Sequence, residues 1–252
     1  MLNVSELKRR ASKEGVPQAI MEKDFVLSVA LNAIAESALS KYLVFKGGTA
    51  IRKVYFEEAR FSEDLDFTVL NANREQVLKG LDEILGEKTL EGVKFEKPEE
   101  EPTRAGLKVA LKYTGPLAHT QRIRFDFSFR ENLVGDPLRK PLINSYGLSR
   151  NEILVLSLGE LFAEKIHALG SRSAPRDLYD VWFLFGNGIT LDHEIVEKKF
   201  AYYNEKLEKE RITAAIEKMK TDWQRDLRPL LKNLPEFSKV ESEMKKKLME
   251  IF

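Results

Sequence analysis

The chain has 252 residues, long enough for one large domain or for a core with a smaller helical appendage. Its 41 Lys and Arg against 40 Asp and Glu leave a net charge of +1, which excludes bulk polycation behaviour and requires any nucleic-acid contact to use a local basic patch. There is no cysteine, so disulfides, thiolate catalysis and cysteine-bound zinc are excluded, and three scattered histidines (His119, His167, His193) form no metal motif; a metal here would be hard and oxygen-ligated. No apolar run approaches the roughly 18 residues of a membrane span. The opening MLNVSELKRRASKEG lacks the charged-then-apolar pattern of a signal peptide, so a cytoplasmic protein without a membrane partner is expected.

Residues 5–38 predict two helices broken at Gly15-Val16-Pro17, the second carrying Phe25, Val26, Val29, Ala30 and Ile34 at helical spacing. Tyr42-Leu43-Val44-Phe45 predicts a short strand ending at Gly47-Gly48, and Thr49 opens a helix through Ala50, Ile51, Val54 and Tyr55. From Ser62 the period becomes two: Leu65, Phe67 and Val69 share one face of a strand, and Asp64, Asp66 and Thr68 the other. A helix is expected over 75–85 and a solvated loop over 96–102. Alternation in 107–113 and in 122–129 predicts two half-buried strands at an antiparallel sheet edge. Beyond Ser157 the pattern is helical to the end, interrupted at 170–175, 186–188, Pro229 and Pro235. The expected division is 1–150, N-terminal helices plus an α/β core, and 151–252, a helical C-terminal domain.

Three features carry chemistry. A glycine turn that feeds a helix presents unbonded N–H groups, and Lys46-Gly47-Gly48-Thr49 suits a phosphate there, although glycine also serves such turns for steric reasons alone. Asp64 and Asp66 point the same way and repel; a divalent cation would compensate them, as would pairing with Arg52, Arg60 or Arg124. Asp126, on the polar face of RIRFDFSF, is a third candidate carboxylate, with Arg122 and Arg124 on its own face as alternative partners. Lastly, Ser157 starts a helix whose apolar stripe of Leu158, Leu161, Phe162, Ile166 and Leu169 holds Lys165 near its centre. A charge there needs an anion, either carboxylate or phosphate. The next helix, with Pro175 at its first position and Leu178, Val181, Trp182 and Phe185 in its stripe, brings Asp177 and Asp180. Arg172 and Arg176 flank its start, placed to bind phosphate or to pair with Asp177, Asp180 or Glu164.

In combination, Phe45-Lys46-Gly47-Gly48-Thr49-Ala50, Arg60-Phe61-Ser62-Glu63-Asp64-Leu65-Asp66-Phe67, Glu164-Lys165 and Arg176-Asp177-Leu178-Tyr179-Asp180 resemble the AbiEii family of nucleotidyltransferase toxins, which includes the MenT-like toxins. Glu22-Lys23-Asp24 also resembles that family's N-terminal region. The resemblance implies an α+β, DNA polymerase β-like nucleotidyltransferase fold with a small mixed sheet, and a toxin of a type IV toxin–antitoxin or abortive-infection system with a cognate antitoxin. It implies transfer of a nucleotide from an NTP to an acceptor, tRNA 3′ ends foremost, with two magnesium ions. Carried onto this sequence, Gly47, Gly48 and Thr49 with Ser62 would hold the triphosphate, Asp64 and Asp66 magnesium with Asp126 a possible third ligand, and Lys165 phosphate. Asp177, or alternatively Asp180, would be the later acidic residue, so the C-terminal domain is expected to contribute Lys165 and Asp177 to the site. Two other readings compete: a nucleotide-binding or partner-binding module without turnover, and a kinase-like phosphotransferase that uses the same site on the γ-phosphate. Lys46, Arg52, Arg60, Arg122, Arg124, Arg172 and Arg176 are expected to form a positive rim that steers an RNA end.

Overall fold

The computed structural model describes residues 2–130, 132–206 and 208–251. They form two compact units that divide after Leu156. The first begins with helices α1 (Val4–Glu14) and α2 (Gln18–Glu36). Asn3 caps α1 by accepting from the Glu6 N–H, and Gly15 ends it at φ +63°, the left-handed conformation that glycine adopts without penalty, its N–H returning to the Ala11 and Ser12 carbonyls. Helix α2 is buried nearly all round from Met21 to Ile34, which is why its apolar residues exceed a single stripe.

Then follow β1 (Leu43–Lys46), the one-turn α3 (Gly47–Ala50) running into a π-helical turn (Ile51–Tyr55), β2 (Asp64–Val69) and α4 (Arg74–Leu85), the last opened by a reciprocal cap between Asn73 and Gln76. The remaining strands are β3 (Thr89–Leu90), β4 (Val93–Phe95), β5 (Glu99–Glu101), β6 (Leu107–Thr114), β7 (Thr120–Ser128), β8 (Leu138–Pro141) and β9 (Glu152–Val155). All join one mixed sheet in the order β3-β4-β6-β7-β2-β1-β9-β8, with β5 also on β6. Strand β2 runs parallel to β7 and antiparallel to β1, and β1 runs parallel to β9.

Register is held by phenylalanines. Phe45, Phe67 and Phe127 stand opposite one another across β1, β2 and β7, fully buried, with ring centroids 5.3 and 5.6 Å apart, and Phe125 stacks on Phe127 at 6.0 Å. Burying each ring is worth about 1.5–3 kcal/mol. A one-residue slip would turn these rings to the other face and drive Asp64 and Asp66 into the core, so the apolar face fixes where the carboxylates stand.

Two expectations are corrected. The strands at 107–113 and 122–129 are interior: β7 lies between β6 and β2, and β6 carries β4 and β5 on its far side. Alternation reports one polar face, while an edge is decided by remote partners. The expected loop at 96–102 contains β5, whose glutamates oppose Ala110, Val109 and Lys108. They lie on the surface and are held by ion pairs, Lys112 to Glu99 at 2.7 Å and Arg124 to Glu101 at 3.0 Å, so no apolar alternation marks the strand.

The second unit is helical: α5 (Leu158–Ser171), α6 (Pro175–Gly186), α7 (His193–Tyr202), α8 (Lys209–Lys218), α9 (Trp223–Leu227) with a 3-10 turn (Arg228–Leu230), and α10 (Phe237–Ile251). Ser157 caps α5 by accepting from the Glu160 N–H at 3.1 Å, and Pro175 occupies the first position of α6. In α6 the buried stripe is Leu178, Val181 and Leu184, with Trp182 and Phe185 only half-buried. Among the described residues no helix is long and apolar enough to cross a membrane.

Candidate active site

The strand–turn–helix of β1 and α3 places Gly47 at φ +78°, a left-handed conformation that side chains rarely adopt, and a Cβ there would collide with the Asp66 carboxylate. Glycine is therefore required twice, for the turn and for the approach of an acidic group to the start of α3. Thr49 is buried, and its hydroxyl donates to the Asp64 carbonyl at 2.5 Å, clamping α3 to the first residue of β2. Its hydroxyl hydrogen being so used, Thr49 has its backbone N–H to offer a phosphate; with those of Gly47 and Gly48 it is one of the leading N–H groups that have no acceptor within their own helix. Ser62 is half-buried in the segment that enters β2.

Pairing in the sheet builds a charged row beside this turn. Lys46 of β1 stands opposite Asp66 of β2, Asp66 opposite Asp126 of β7, and Asp126 opposite Lys108 of β6. Residues directly opposite share a face, so the row reads plus, minus, minus, plus. Asp64, two residues along on the same face, stands opposite Arg124. Lys108 Nζ lies 3.3 Å from Asp126 Oδ2 with the two side chains 45% and 42% exposed, a pair worth about 0–1 kcal/mol. Arg122 and Arg124, the partners considered for Asp126, instead lie 3.9 and 3.0 Å from Glu101. The structure thus brings Asp126 beside Asp66, and it adds Lys108, whose place on a polar strand face was visible in the sequence but whose register was not. Asp64, Asp66 and Asp126 offer hard oxygens of the kind magnesium takes, and the bare Gly47 leaves room for one of them at the turn. Among the described residues no three acidic or histidine side chains are already gathered about one point, so these donors stand in register on two strands as an open set.

Within the helical unit, Lys165 Nζ lies 2.8 Å from Asp177 Oδ1 and 2.7 Å from Asp180 Oδ2. All three residues are buried, and Arg172 Nε completes the cluster 2.8 Å from Asp177 Oδ2. Burial pushes the Asp177 carboxyl up, but the Lys165 and Arg172 charges outweigh burial and hold it well below the usual carboxylate range. The anion that a lysine in an apolar stripe demands is therefore supplied by carboxylates. Asp177 and Asp180, which the sequence left as alternatives, both serve it.

The expected basic rim is corrected at two positions. Arg60 is buried and donates to the Phe61 carbonyl at 3.1 Å. The Arg52 side chain is 11% exposed and lies 3.3 Å from Asp24. Neither guanidinium projects from the surface, because each satisfies backbone carbonyls or a buried carboxylate of its own unit, and Arg52 shows only a small part of itself to a neighbouring cleft.

The profile of the family described as "Nucleotidyl transferase AbiEii toxin, Type IV TA system" matches residues 29–246. Among curated proteins, none matches by sequence. Among solved structures, the chain is similar to MenT4, a nucleotidyltransferase toxin from Mycobacterium tuberculosis H37Rv, at 18% identity and a TM-score of 0.73, over 98% of this chain and 89% of that one. It is also similar to a putative nucleotidyltransferase from H. pylori, at 17% identity and a TM-score of 0.59, over 91% of this chain and 96% of that one. These likenesses show a nucleotidyltransferase fold.

Proposed function

The chain belongs to the AbiEii nucleotidyltransferase toxin family, and from that premise we propose that it moves a nucleotide from an NTP to the 3′ hydroxyl of an RNA, tRNA foremost, at the glycine turn and the acidic row of β2 and β7. The observation that carries this reading is the position of Asp66, set in register between Lys46 and Asp126 and packed on a Gly47 that can bear no side chain.

In this reading Asp64 and Asp66, with Asp126, hold magnesium, which when bound neutralises phosphate oxygens and makes the acceptor hydroxyl easier to deprotonate. The N–H groups of Gly47, Gly48 and Thr49 and the Ser62 hydroxyl hold the triphosphate, and the donors need no reorganisation because the Thr49 hydroxyl has fixed the turn to β2. Lys46 and Lys108 flank the acidic pair and limit its self-repulsion before substrate arrives. For Lys165 and Asp177 the phosphate-contacting and acidic roles rest on the family resemblance alone; within the helical unit Lys165 is held by Asp177 and Asp180. A terminal hydroxyl suits a recessed triphosphate better than a duplex interior does, and RNA supplies one. NTPs and tRNA both place the reaction in the cytoplasm, and a type IV system implies a cognate antitoxin that restrains it.

The test is incubation of the purified chain with magnesium, total RNA and NTPs labelled at the α or the γ position. Label from the α position should enter RNA with release of pyrophosphate, and RNA binding should weaken as salt rises. Label entering protein and never RNA would overturn the acceptor and keep the reaction. Transfer of γ label alone would make the protein a kinase, and no transfer of either would make it a binder.

A further inference from the structure

One triplet of the sequence, Glu22-Lys23-Asp24, takes no part in the chemistry above, yet Glu22 and Asp24 are among the most deeply buried charges of the first unit. Glu22 is fully buried and accepts from the Leu117 N–H at 2.6 Å and from Gln121 at 2.8 Å, pinning the turn between β6 and β7 to α2. Lys23 reaches Glu63 at 3.2 Å, next to Asp64. Asp24, 1% exposed, receives Lys53 Nζ at 2.7 Å, the Tyr146 hydroxyl at 2.7 Å and Arg52 Nε at 3.3 Å. Burial alone would raise its carboxyl, but Lys53 and Arg52 together pull it below the ordinary value.

Arg52 carries this anchor to the site. It sits in the π-helical turn that continues α3, and its Nη1 donates to the Glu57 carbonyl at 2.6 Å and to the Ala59 carbonyl. Its guanidinium lies over the Phe61 ring, 3.8 Å from the centroid. Residues 56–63, which join this turn to β2, form no helix or strand, so their course depends on such contacts. We propose that Arg52, oriented by Asp24, is a positioning residue: it ties the helix of the glycine turn to the segment that delivers Ser62, Asp64 and Asp66, and so sets the triphosphate seat against the acidic row. The inference rests on the nucleotidyl-transfer reading for its functional consequence and on the geometry for the tether itself. Arginine is needed because a single planar fork holds Asp24 through Nε and two carbonyls through Nη1 while it stacks on Phe61; a lysine ammonium is a point charge that cannot do all of these. A cleft of about 460 Å³, lined by Arg52, Phe61, Asp24 and Tyr146 with Arg10 and Met21 among others, borders the tether and gives a shorter or more mobile side chain room without overpacking.

The experiment compares wild type with Arg52→Lys, which keeps the charge beside Asp24, and with Arg10→Lys as a control lining the same cleft. Hydrogen exchange and steady-state kinetics are read on the full chain. Arg52→Lys should fold with exchange unchanged in α2 and in β6 and β7, should speed exchange of the amides of 57–63 about tenfold, and should lower kcat/KM by about 10–100-fold, as expected when reacting groups shift by around an ångström. Arg10→Lys should do neither. Wild-type kcat/KM in Arg52→Lys overturns the proposal, as does a loss of rate with unchanged exchange in 57–63, which would mean that Arg52 touches substrate. Exchange accelerated throughout the first unit would reduce Arg52 to a general stabilising contact. If the wild type transfers nothing from any NTP, the functional reading fails by itself, while exchange in 57–63 still supports or refutes the tether.

Discussion

Replacing Lys165 by Met separates the structural from the chemical role of the buried cluster in the helical unit. The stem is kept and the charge removed, which on the apolar pattern alone would leave the fold intact or stabilised. The structure reverses that expectation: Asp177 and Asp180, 1% and 4% exposed, lose the cation 2.8 and 2.7 Å away. Breaking a buried ion pair by removing one partner costs about 3–5 kcal/mol. Arg172 still holds Asp177, so the lower end, about 3 kcal/mol, is expected. For a chain of this size that lowers the melting midpoint by roughly 6–12 °C. The sign of the pH dependence follows from Asp177. Its folded-state carboxyl is depressed, so its stabilisation is present above the ordinary carboxyl value and is lost as pH falls below it. Without Lys165 much of that depression disappears, so the variant has less to lose on acidification: the gap in midpoint stays level from pH 7 to about pH 4, the ordinary aspartate range, and narrows only below it. Thermal unfolding followed by circular dichroism at several pH values reads both effects. Adding Asp180→Asn should recover part of the midpoint, and nucleotidyl transfer should remain lower by about 10²–10³, the size of effect seen when one preorganised donor is removed. A midpoint within about 2 °C of wild type at pH 7, or a gap that widens at lower pH, would refute the cluster as described.

Asp64→Asn and Asp66→Asn should each abolish magnesium-dependent transfer with little change in unfolding in metal-free buffer, because both side chains are only partly buried and removing one relieves repulsion; full activity in either would remove it from the metal site. Gly47→Ala should destabilise by more than about 1 kcal/mol through its left-handed φ, and should weaken nucleotide binding by displacing Asp66, measured by calorimetry with a non-transferable NTP analogue; wild-type binding would show that the close approach of Asp66 does not matter. Asp126→Asn distinguishes a ligand from a surface partner: loss of its exposed pair with Lys108 changes stability by no more than about 1 kcal/mol, so a fall in kcat beyond about 100-fold would come from the metal site, and an unchanged kcat would leave Asp64 and Asp66 as its only carboxylates.

Local pattern determined much of this protein without tertiary information. The period-two alternation of 64–69 put Asp64 and Asp66 on one face, Gly15 and Pro17 separated the first two helices, and Ser157 and Pro175 set the starts of α5 and α6. These features depend on contacts a few residues apart, where side-chain period and capping chemistry act. Joint motif order in 45–67 and 164–180 was enough to point to the family. Tertiary structure decided what depends on remote partners. That Asp126 stands beside Asp66 follows from a parallel pairing between strands separated by an α-helix and four other strands, which alternation cannot register. That Arg52 turns inward to Asp24, and that β5 forms from three surface glutamates, follows from a carboxylate and from cations brought from elsewhere in the chain. Lys165 shows the division most clearly: its apolar stripe demanded an anion, and only packing of α6 on α5 chose two carboxylates to supply it.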